Sequence, residues 1–187
     1  MLKSKLLICL LLCSFALTGQ DNKKDSTAIP DPSSFETSHE INSGGKAIRY
    51  RAVASETYLK NDSGQPVASL WSVAYLQKDA KDVSKRPVTF VFNGGPGSAS
   101  VWLHMGMFGP QLVKVESDAR EDDGAAPYNL VSNTKALLDL TDLVFIDPVG
   151  TGYSRVIGKG KVEDFWGLNE DAQSIADFMR LWITENN

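Results

Sequence analysis

Residues 47–54 (AIRYRAVA) and 68–77 (ASLWSVAYLQ) place apolar side chains loosely at every second position, the period of a strand with one covered face. Lys60-Asn61-Asp62-Ser63-Gly64, between them, is turn chemistry, so the two segments are predicted to form an antiparallel pair. The pattern then changes. Residues 87–92 (PVTFVF) and 143–146 (LVFI) are short continuous apolar runs, the mark of strands covered on both faces in a parallel sheet. Each run ends in a glycine-rich turn, Asn93-Gly94-Gly95-Pro96-Gly97 and Asp147-Pro148-Val149-Gly150-Thr151-Gly152. Residues 168–183 carry Leu168, Ala172, Ile175, Ala176, Met179, Trp182 and Ile183 at helical spacing, with Glu170 and Asp171 in the first turn where the helix dipole favours acids. The predicted fold is therefore α/β, an antiparallel strand pair leading into a parallel central sheet. No internal repeat is visible, which argues against a solenoid.

The two ends of the pattern differ from the middle. Basic Lys3 and Lys5, the apolar stretch 6–16 and the smaller Thr18 and Gly19 have the three parts of a secretory signal peptide, assigned to residues 1–20. That 11-residue stretch rises only about 16 Å as a helix, half of a bilayer span, so no stable membrane span is expected in the mature chain. The protein is expected to be exported, to the periplasm or the medium. Both cysteines, Cys9 and Cys13, fall in this segment, so the mature chain has neither a disulfide nor a thiolate nucleophile. Lipid attachment at Cys13 is the alternative, but Leu12 stands where that processing wants a small residue. Residues 21–38 are polar, contain Pro30 and Pro32, show no apolar period and read as a leader or linker before a domain at 39–187.

Composition and charge narrow the classes. With 42% hydrophobic residues and a formal charge of −4, the chain is too apolar and too weakly charged for disorder. Removing Lys3 and Lys5 from the 19 basic residues leaves 17 against 23 acidic, about −6, and the pI is near 5.2. A nucleic-acid partner, which needs a basic surface, is not expected. The acidic segment 116–123 (ESDAREDD) lacks the spacing of a calcium loop and reads as a solvated loop. No metal or other cofactor is called for.

Ligands of open α/β sheets bind at the carboxyl ends of the strands, so the glycine turns carry the candidate chemistry. In Asn93-Gly94-Gly95-Pro96-Gly97 the absence of Cβ atoms lets a substrate approach several backbone N–H groups at once. A phosphate cradle would need a lysine after the last glycine, and Ser98-Ala99-Ser100 offers none. A dinucleotide turn wants a glycine where Ser100 stands, and Pro96 removes an N–H. The remaining chemical use is an oxyanion hole, set against a tight loop with no catalytic duty.

The segment NGGPGSASVWLHMGMFGP (93–110), preceded by RPVTFVF and followed by DLTDLVFIDPVGTGYSR (139–155), resembles the serine carboxypeptidase family, above all its bacterial members. The resemblance runs over about residues 45–187 and corresponds to the N-terminal part of an α/β-hydrolase. It implies a peptidase that removes the last residue of a peptide with a Ser, Asp, His triad, usually best at acidic pH, with no cofactor and a peptide bearing a free C-terminus as partner. It implies that Gly95 donates its N–H to the oxyanion and that Asn93 and Gly94 bind the substrate's terminal carboxylate. Asp147, Gly152 and Tyr153 are expected to shape the cleft wall, Asp147 as a structural residue. Two positions depart from the pattern. Ser98 stands where characterised members have a cysteine, and Met107 where they carry a glutamate of the carboxylate-binding network.

No serine of these 187 residues sits in a G-x-S-x-G elbow; Gly152-Tyr153-Ser154-Arg155-Val156 lacks the closing glycine. The triad is therefore expected outside this chain, which alone is expected to be inactive. Of the two histidines, His39 lies in the polar leader and is expected to be exposed, while His104 is either a cleft-lining residue or an ordinary half-buried one. Ser98 and Ser100 read as turn or helix-cap residues. Two other readings remain open: another α/β-hydrolase, such as an aminopeptidase or esterase, and a secreted binding module without catalysis.

Overall fold

The computed structural model describes residues 29–94, 97–115, 126 and 128–186. The predicted signal peptide, the first part of the leader, Gly95 and the acidic loop 116–123 lie outside the described residues.

Three long strands, β1 (Ser34–Ser43), β2 (Lys46–Lys60) and β3 (Pro66–Gln77), form an antiparallel meander. Gly44 and Gly45, with φ of 60° and 78°, make the two-residue turn between β1 and β2; positive φ at both positions matches the right-handed twist of a hairpin and favours glycine. The Asn61 side chain organises the next turn by accepting hydrogen bonds from the Ser63 and Gln65 amides. The hairpin predicted from the alternating segments is thus present, and it is joined by a strand that starts five residues inside the stretch read as leader. β1 escaped the periodicity because its first seven residues are exposed on both faces. Backbone pairing with β2, rather than burial, holds it in the sheet. His39 lies on this strand, its ring stacked on Tyr50 with centroids 5.5 Å apart.

β4 (Val88–Phe92) and β7 (Asp142–Ile146) are the two continuous apolar runs, and they pair in parallel. The connection between them holds a short helix α1 (Val101–Leu103), a π-helical turn (His104–Phe108), a small pair of strands β5 (Gln111–Val113) and β6 (Leu130–Ser132), and a 3-10 turn (Leu137–Asp139). The order across the main sheet is β1-β2-β3-β7-β4, with β8 (Arg155–Val156) also on β3. β7 lies between β3 and β4, and all five of its residues are buried. β4 is not covered on both faces as expected: it is the outermost strand among the described residues, and Phe92 is 42% exposed.

Because successive strand residues point to opposite faces, β7 feeds two cores. Val144 and Ile146 join Leu70, Ala74 and the helix α2 (Leu168–Asn186) on one face. Leu143 and Phe145 join Ile41, Ile48, Tyr50 and Leu138 on the other. α2 forms where its periodicity predicts, but its buried face is Ser174, Ile175, Phe178 and Trp182. Leu168, Ala172, Ala176 and Ile183, counted in the apolar stripe, are exposed. The sheet presents Phe90 to Trp182 edge-on at 5.5 Å, and Phe178 and Trp182 both belong to the core on that face.

Candidate active site

Phe92 pairs with Ile146 across the parallel ladder, so Asn93 and Asp147 leave the sheet side by side at the carboxyl ends of neighbouring strands. The sheet thereby sets the two glycine turns next to each other. Asn93 is half-buried, and its Nδ2 lies 3.4 Å from the Gly94 carbonyl oxygen. Gly94 is exposed, with no atom within 4 Å of where a Cβ would stand, and its backbone is open to an approaching group. Gly97 has φ +90°, which favours glycine at the point where the chain turns back. Beside Gly97 opens a mainly apolar cleft of about 650 Å³ lined by Val149, Thr151, Phe165, Trp166 and Leu168.

The Asp147 carboxylate is buried between the turns. Its Oδ1 accepts hydrogen bonds from the Ser100 amide and the Ser100 hydroxyl, both at 2.9 Å, and its Oδ2 accepts one from the Tyr153 amide at 3.3 Å. Ser100 stands at the N-cap of α1, as its residue type suggests, but its hydroxyl serves Asp147 and makes no cap bond. Gly152 is in the left-handed region at φ +48°, and a Cβ there would fall 1.9 Å from Asp147 Oδ2. Ser154, the serine nearest to an elbow in sequence, is fully buried; its hydroxyl donates to the Asp147 carbonyl oxygen at 2.7 Å and accepts from the Trp71 amide at 2.8 Å. A side chain held on both sides in this way is a structural pin rather than an exposed nucleophile.

His104 follows the first turn, and its environment is specific. The ring stacks on Phe145 with centroids 4.3 Å apart, and Nε2 is 2.6 Å from the Tyr75 hydroxyl. Burial pushes its pKa down to about 4, partly opposed by the nearby Asp147 carboxylate. Burial also raises the Tyr75 phenol well above its ordinary range. Gly109 is needed here, because a Cβ would meet the His104 carbonyl oxygen at 2.3 Å. Met107, in the same π-helical turn, is 56% exposed, and Tyr153 lies against Trp71 at 5.5 Å with most of its surface open. Tyr75 and Trp71 were not singled out from sequence. Their signal, aromatics inside an alternating strand, is shared with ordinary core residues. Among the described residues no cluster of three or more His, Asp or Glu side chains is placed to hold a metal ion.

The profile of the serine carboxypeptidase family matches residues 66–187, well over half of the chain. The chain belongs to the serine carboxypeptidase family. The crystal structure of Kex1(Δ)p, a prohormone-processing carboxypeptidase from Saccharomyces cerevisiae, is similar to it with a TM-score of 0.51 and 22% identity, over 72% of this chain and 28% of that one. At that identity the likeness speaks for the fold, the α/β arrangement of a serine carboxypeptidase. The chain spans 28% of the length of that relative. A search of the curated proteins finds none that matches. Both glycine turns, and the Asp147 contacts between them, lie inside the stretch matched by the family profile.

Proposed function

We propose that this chain supplies the oxyanion and carboxylate-binding part of an exported serine carboxypeptidase, which hydrolyses the C-terminal peptide bond through an acyl-enzyme. The observation that carries this reading is the placement of half-buried Asn93 and exposed Gly94 at the end of β4, in the turn whose Gly97 lines a cleft, in a chain of this family. In the proposed chemistry the Gly95 amide donates to the oxygen of the scissile carbonyl as negative charge develops there. Asn93 and the Gly94 amide donate to the free carboxylate of the last residue, which fixes which bond lies over the oxyanion site. The serine that attacks is not among these 187 residues, so the chain alone is expected to leave peptides uncleaved and not to react with a fluorophosphonate.

The test uses the full-length protein and a blocked dipeptide with a free terminal carboxylate. Asn93→Ala is expected to raise KM for this substrate by about tenfold to a hundredfold, the loss of one hydrogen bond to a charged group, while hydrolysis of a simple ester changes little. Equal losses on acid and ester would remove Asn93 from carboxylate recognition. Met107 supports a second reading. A methionine in place of an acidic partner cannot share a proton with the substrate carboxylate, so faster cleavage of amides and esters than of free-acid peptides would assign the protein to another α/β-hydrolase activity.

A further inference from the structure

We propose that Ser100 and Asp147 are positioning residues that lock the two glycine turns to each other and thereby set the geometry of the carbonyl-polarising site. This inference rests on the proposed hydrolase reading. The strand ladder holds the first turn at only one end: β4 is paired through Phe92↔Ile146, and the chain then leaves the sheet at Asn93. Among the described residues of the return arm, Gly97 to Ala99 form no regular element, and the Ser100 amide fixes the backbone by donating to Asp147. Both hydrogen-bond donors of Ser100, amide and hydroxyl, go to the same oxygen of Asp147. Asp147 is itself anchored, since its amide donates to the Trp71 carbonyl oxygen at 3.0 Å and its carbonyl oxygen accepts from Ser154. Its second carboxylate oxygen accepts from Tyr153, across a position that only glycine fills without collision.

One buried carboxylate therefore spans the two turns, and its charge strengthens each of the three bonds it accepts. Neutral isosteres do not reproduce this. An asparagine keeps one carbonyl-type oxygen for Ser100 but turns an NH2 group toward the Tyr153 amide, donor against donor. Small displacements of hydrogen-bond donors around a developing oxyanion are costly, because the donors stabilise charge only when already aimed at it. The lock is thus expected to act on turnover more than on substrate capture, since Asn93 lies on the strand-anchored side and Ser100 on the return arm.

The experiment compares Ser100→Ala and Ser100→Thr in the full-length protein, since Ser100→Ala removes one bond and leaves the Ser100 amide to Asp147 in place. Ser100→Ala is expected to lower kcat on a blocked free-acid dipeptide by roughly tenfold with KM within twofold, and to slow phosphonate labelling to the same degree. Ser100→Thr, which keeps the hydroxyl, is expected to recover most of kcat. Amide hydrogen exchange of the peptide covering residues 92–101 is read on the same samples and is expected to quicken in Ser100→Ala. A kcat within twofold of wild type for Ser100→Ala, or a threonine variant no better than alanine, overturns the proposal. If wild-type protein cleaves neither peptide nor ester, the hydrolase reading fails, and exchange alone then decides: faster exchange in Ser100→Ala keeps the lock, unchanged exchange removes it.

Discussion

His104 links the fold to pH in a way that can be worked through. Its ring is packed on Phe145 and bonded to Tyr75, and burial lowers its pKa from the usual 6.5 to about 4. The folded protein therefore resists protonating His104, whereas the unfolded chain takes up the proton near pH 6.5. Between those values the unfolded state binds more protons, so stability rises with pH and falls as acid is added. The loss relative to neutral pH is about 2 kcal/mol at pH 5 and about 3 kcal/mol at pH 4, if the unfolded pKa is near 6.5. Replacing His104 by glutamine keeps a hydrogen-bonding partner for Tyr75 and removes the titration. Urea unfolding of both proteins at pH 8, 6, 5 and 4 should show the gap between wild type and His104→Gln shift by these amounts in favour of the variant as the pH falls. His39 and the carboxylates are common to both proteins and cancel in the difference. A gap that is the same at every pH refutes the reasoning, because it means that His104 is as easily protonated folded as unfolded.

Three further outcomes follow from packing. Arg86 and Asp142 form a buried pair at 2.7 Å, each side chain 9% exposed, with Arg86 also donating to the Leu138 carbonyl oxygen; Arg86→Ala should cost about 3 kcal/mol by urea unfolding, since it leaves the buried carboxylate with the Gln77 amide but without its cation. Gly64→Ala and Gly152→Ala both place alanine at positive φ, but only the second drives a Cβ into Asp147. The first should lose about 1–2 kcal/mol and the second clearly more, as a larger drop in Tm. Phe178, fully buried under the sheet, should cost about 3–5 kcal/mol as alanine, whereas Leu168→Ala at the exposed start of α2 should stay within about 0.5 kcal/mol.

The legible part of the fold is the part governed by local period and turn chemistry. The hairpin of β2 and β3, the parallel partners β4 and β7 and the helix α2 all stand where the apolar pattern places them. β1 was hidden by its polar faces, although Gly44-Gly45 between Ile41 and Ile48 was a readable hairpin signal. The stripe on α2 was misplaced because a helix with apolar residues on several sides does not specify which side meets the sheet. The glycine turn that begins at Asn93 and Gly94 was legible as a turn at a strand end because the strand-to-glycine-turn pattern is contiguous. The roles of Tyr75, Ser100 and Ser154 were not, because each depends on a partner far along the chain.

The sequence by itself determined the α/β class, the two glycine turns at the ends of apolar strands and the family motifs that span them. These are written in neighbouring residues, where backbone geometry imposes a period of two or of 3.6 and glycine alone relieves a crowded turn. Only the tertiary structure decided that Asp147 meets Ser100, 47 residues away, and that His104 meets Tyr75, 29 residues away. No local pattern encodes such contacts. They arise when a parallel ladder sets two distant strand ends side by side, and burial then leaves each polar group only the partners that the fold brings within reach.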